Sequence, residues 1–121
     1  ESSSDALART MRWELGEEVA VGRLLWVTEL ITRIGGRPFH QFGFDYAVEL
    51  PAGSRFLDLA RDHDAVERGH ALRLHWTPLT SLPQIDLRPA LLQAALADLP
   101  TTPRHIVSVD AEFGQGGQGG P

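Results

Sequence analysis

At 121 residues, with 42% hydrophobic side chains and a formal charge of −5, the chain has material for one compact domain and too little for two. It contains no cysteine, which excludes a disulfide framework and thiolate metal sites and suits a reducing compartment. No apolar run is long enough to span a bilayer, the polar start Glu1-Ser2-Ser3-Ser4 is unlike a signal peptide, and the eleven basic residues form no stripe that would neutralise a phosphate backbone. These features lead us to expect a soluble cytoplasmic protein that engages neither a membrane nor polymeric nucleic acid. A small nucleotide stays compatible, because a metal ion can neutralise its phosphates locally.

In chain order, Ser2 or Ser4 caps a helix running to Leu15, and Gly16 stands where a left-handed C-cap glycine belongs. Leu7, Met11 and Leu15 recur every four residues as its buried stripe, with Arg9, Trp13 and Glu14 off that stripe. Residues 19–32, rich in branched and aromatic side chains, read as one or two strands with Gly22 as a bulge, and Gly35-Gly36 supplies a turn. From residue 40 to 50 the even positions are mostly apolar and the odd ones mostly polar or glycine, which predicts a strand. Residues 51–69 are polar and of mixed charge, and predict a long connection with one helical turn near residues 56–60. Leu72, Leu74 and Trp76 alternate as another strand, Asp86 caps a helix through about Ala97, residues 104–109 add a last strand, and residues 110–121 form a Gly/Gln-rich flexible tail. The domain is thus placed at residues 1–109.

The first eighteen residues resemble a Nudix box entered partway through. Glu1 and Arg9 reproduce the family's glutamate-to-arginine spacing, and Arg9, Met11, Glu14 and Gly16 match the arginine, apolar, last glutamate and glycine positions of the motif's second half. Thr10 and Trp13 stand where two clustered glutamates belong, and Glu17 takes the place of the final aliphatic residue. Further similarity lies in Gly22-Arg23-Leu24-Leu25-Trp26, Phe39-His40-Gln41-Phe42-Gly43-Phe44, Leu72-Arg73-Leu74-His75-Trp76 and Asp86-Leu87-Arg88-Pro89-Ala90, so the likeness spans residues 1–109. A competing register, Trp13-Glu14-Leu15-Gly16-Glu17-Glu18-Val19-Ala20-Val21, keeps three glutamates but places Gly16 inside the helix, at about 1 kcal/mol relative to alanine.

The resemblance implies an α+β fold of the Nudix type, an α/β/α sandwich with a mixed sheet and flanking helices. It also implies two or three strands ahead of Glu1, which a longer chain, a second copy or another partner would supply. The implied chemistry is cleavage of a pyrophosphate bond in a nucleoside diphosphate linked to another moiety, dependent on Mg2+ or Mn2+. Divalent-metal hydrolysis needs clustered carboxylates, and here Glu14 remains in the first register, with Glu17 and Glu18 as further metal ligands in the second. Arg9 and Glu14 are the candidate catalytic residues. With Gln41 also standing where the family often has glutamate, weakened or lost activity is expected, and the alternative is a non-catalytic nucleotide-binding or interaction domain.

Bland readings compete for the other acids and histidines. Glu29, Asp45 and Glu49 fit a solvated strand face, with Asp45 and Glu49 sharing the face of Gln41, and Asp62-His63-Asp64 fits a solvated loop. No histidine pair has the spacing of a helical metal site. A homodimer would cover exposed sheet edges.

Overall fold

The computed structural model describes residues 1–109, and the tail expected at residues 110–121 lies outside the described residues. The fold is α+β, with the order α1 (Ser3–Leu15), β1 (Ala20–Ile34), β2 (Arg37–Glu49), a 3-10 turn (Arg55–Leu57), β3 (His63–Glu67), β4 (His70–Leu74), a second 3-10 segment (Leu79–Gln84), α2 (Leu91–Ala97) and β5 (Arg104–Val109). Two compact units emerge, one from Glu1–Arg23 with Tyr46–Asp98 and one from Leu24–Asp45 with the chain from Leu99.

In the first unit, the Ser2 hydroxyl accepts from the Asp5 N–H at 3.1 Å and satisfies one of the orphan donors of the first turn of α1. The helix ends where Gly16 turns left-handed at φ 70°, its N–H donating to the Arg12 carbonyl. None of the thirteen residues of α1 is fully buried, and the Leu7, Met11 and Leu15 stripe is only half covered. The buried side chains of this unit are Phe56, His63, Ala65, Leu82 and Ala95.

Residues 51–69 contain more structure than the polar composition predicts. Ser54 caps the 3-10 turn by accepting from the Phe56 N–H, and residues 63–67 form β3, paired antiparallel with β4 from His63↔Leu74 to Glu67↔His70. The strand escapes the sequence pattern because only Ala65 and His63 on it are buried, so apolar alternation is too short to read. Asp86 does not cap α2: it pairs with Arg88, and the helix begins at Leu91 after Pro89.

The second unit centres on a three-stranded mixed sheet in the order β2-β1-β5. Where residues 19–32 predict one or two strands, a single long β1 runs from Ala20 to Ile34. The Gly35-Gly36 turn, with φ 58° and 79°, has the type I′ character that matches strand twist and makes Ile34 and Arg37 the closing hydrogen-bonded pair. The odd residues of β2 therefore share a face with the even residues of β1. Gly43 accordingly lies against Thr28, where an added Cβ would stand 2.5 Å from Oγ1. β5 pairs parallel with β1, from Trp26↔Arg104 to Ile31↔Val109. Leu25, Trp26, Leu30 and Thr32 form the buried centre, with Trp26 only 1% exposed. The period-two pattern of residues 40–50 does mark a strand, yet Phe42 and Phe44 are 57% and 51% exposed, so the apolar side of the pattern is not a buried one.

Candidate functional site

Helix α1 carries the motif residues. At the N-cap Ser2 the backbone is extended, and Glu1 before it receives the Nε and Nη2 groups of the Arg9 guanidinium, at 2.8 and 3.0 Å. The hydrogen bond from Arg9 holds the Glu1 carboxyl below its ordinary range and drives the arginine still higher. Asp5 and Glu14, the neighbours within helical reach, are not the partners of Arg9. Arg12 makes a second fork onto Glu18 at 2.5 and 3.4 Å, across the Gly16 turn. Trp13 is 75% exposed, and the Arg9 guanidinium lies 5.0 Å from its ring centroid.

Magnesium or manganese, implied by the motif likeness, calls for several carboxylate oxygens around one point. Glu18 is committed to Arg12, and among the described residues no three His, Asp or Glu side chains are grouped so as to hold a metal ion. Glu14, Glu17 and Glu18 accordingly form no such three-carboxylate group among the described residues.

On the opposite side of α1, Met11 and Leu15 line an apolar cleft of about 570 Å³ that continues over Phe56, Leu74 and Trp76. Its polar fittings are tied down from behind. His63 Nε2 hydrogen-bonds the Asp58 carbonyl at 2.9 Å, and the Trp76 indole N–H donates to the Phe56 carbonyl at 2.6 Å. Asp62 receives His75 at 2.7 Å and Arg73 at 3.2 Å, and these two, His75 foremost, lower its carboxyl pKa. Of Asp62-His63-Asp64, His63 is thus buried in the hairpin, while Asp62 and Asp64 stay exposed.

In the second unit Glu29 is not a bare strand-face acid. Its two oxygens bond His40 Nε2 at 3.0 Å and His105 Nε2 at 2.6 Å, from the strands on either side, and His105 followed by His40 lowers its pKa. This cluster had no local signal, because His105 lies 76 residues from Glu29 and arrives only through the parallel pairing of β5. Asp45 contrasts with it. Burial raises its pKa, and the only opposing influence is the Trp26 indole, which stands close enough to favour the carboxylate but outside good hydrogen-bond geometry. Gln41 and Glu49 remain exposed on β2.

No protein-family model matches the chain, and no curated protein matches it.

Proposed function

We propose that this chain is a Nudix-like domain, kin to hydrolases of a nucleoside diphosphate linked to another moiety, in which pyrophosphate cleavage is weak or lost. The observation that carries the reading is the two-pronged Glu1–Arg9 pair on a helix capped by Ser2 and closed by Gly16. It joins the residues whose spacing defines the motif, while Thr10 and Trp13 occupy two of its carboxylate positions. Arg9 and Glu14 are the residues through which any remaining catalysis would act. The ligand is a small nucleotide in a cytoplasmic setting, which agrees with a cysteine-free chain of net charge −5.

A second reading, nucleotide binding without turnover, is favoured by Trp13. A ring so exposed contributes little to folding, yet with Arg9 beside it presents a face on which a base can stack.

The test compares the full chain with a Thr10→Glu/Trp13→Glu variant, each with Mg2+ or Mn2+ and a panel of nucleoside diphosphate derivatives. Thermal unfolding and phosphate or nucleotide release are recorded in the same samples. A ligand-specific rise in melting temperature for the parent, with metal-dependent turnover gained or increased at least tenfold in the variant, is the expected result. If both proteins melt cooperatively without any ligand shift and neither turns over, the proposal fails.

A further inference from the structure

We infer that the outer edge of β2 pairs antiparallel with the same edge of a second copy of this chain, with Gln41 on the two-fold axis and Arg37 of each copy opposite Asp45 of the other. Among the described residues β2 is the terminal strand of its sheet, and one side of its backbone has no ladder partner there. Which atoms lie on that side is set by the turn. With Ile34 and Arg37 as the closing pair, the odd residues of β2 exchange hydrogen bonds with β1, and the even residues direct theirs outward. Pro38 obeys this parity, since the nitrogen that carries no hydrogen is one that points away from β1.

Two charges on this strand lack a counterpart among the described residues. Arg37 is exposed and makes no ion pair among the described residues, while Asp45 is half-buried with its pKa raised and no cation beside it. They occupy the same face, since both are odd. A two-fold axis through Gln41 brings each Arg37 opposite the partner's Asp45, so one symmetry operation satisfies both charges twice. The same register sets His40 beside the partner's Phe42, aromatic neighbours that already approach to 4.8 Å within one chain, and Pro38 beside the partner's Phe44. Every outward N–H from His40 to Phe44 then meets a carbonyl: His40 and Phe42 exchange bonds, and Phe44 donates to Pro38. No like charges are opposed, and the exposed faces of Phe42 and Phe44 gain cover.

Sedimentation of the full chain over a wide concentration range should show a reversible monomer–dimer equilibrium. Phe42→Pro removes one outward N–H without touching the bonds to β1, and should abolish the dimer while leaving the far-UV circular dichroism unchanged. Arg37→Glu places like charges together at both ends and should weaken association roughly tenfold or more. Because the chain has no cysteine, register is tested directly: Gln41→Cys should form a disulfide-linked dimer under mild oxidation, and Phe39→Cys should not. A chain that sediments as a monomer at every concentration overturns the proposal, as does a dimer indifferent to Arg37→Glu, or equal crosslinking of the two cysteine variants.

Discussion

Gly43 shows how a single missing Cβ fixes a contact between neighbouring strands. With 2.5 Å to Thr28 Oγ1, a methyl group there collides with a β-branched side chain held by its own strand. Gly43→Ala is expected to destabilise the fold by about 1–3 kcal/mol, the usual range for overpacking, and Thr28→Ala in the same chain should recover most of that loss. Urea unfolding of the two single variants and the double variant gives the coupling. Additive losses would show that the collision is relieved elsewhere. Glu29 acts through charge. Its carboxyl pKa is lowered in the fold, so its contribution to stability is present above the unfolded value near 4.3 and is lost as pH falls through the folded value. Replacing it by glutamine should flatten the acid limb of the stability curve below about pH 4. Unfolding midpoints measured across a pH series check this, and superimposable acid limbs would contradict it.

At the scale of elements, α1 is specified by its ends more than by its face. Ser2 supplies the cap and Gly16 the left-handed exit, whereas no residue of the helix is fully buried. Ser2→Ala should therefore cost about 1 kcal/mol, and Gly16→Ala about 1–2 kcal/mol from the left-handed backbone. Loss of helical signal would accompany the lower urea midpoint. Trp13→Ser should change stability by less than about 0.5 kcal/mol, because the ring is 75% exposed. A large loss would show that the ring packs against the fold instead of offering a free face to a ligand. β3 teaches the opposite lesson: its pairing with β4 and the burial of His63 define it, and a run of charged residues shows neither.

Among the described residues, most ion pairs are small and local. Glu1–Arg9, Arg12–Glu18, Asp62–Arg73 and Asp86–Arg88 all keep at least a third of each side chain in solvent, where such pairs contribute little. Raising the salt to about 1 M, where the screening length is ~3 Å, should move the monomer's melting midpoint by only a few degrees. A fall of tens of degrees would reveal a cooperative ionic network. Stability must instead come from the small apolar centres around Trp26 in one unit and Phe56 in the other.

Local features were legible in the sequence: the capped first helix and its glycine exit, the Gly-Gly turn, and the alternation that makes β2 a strand. Each depends on residues within a few positions of one another, where backbone preference and side-chain reach are enough. Tertiary structure alone decided that β5 lies parallel to β1 and carries His105 to Glu29, that a polar stretch folds into a hairpin around His63, that Asp62 is held by His75 and Arg73, and that Phe42 and Phe44 stay in solvent. Those outcomes depend on which distant segments meet. Pairing across tens of residues is set by the competition among all available partners for burial and hydrogen bonds, and no local pattern encodes the result.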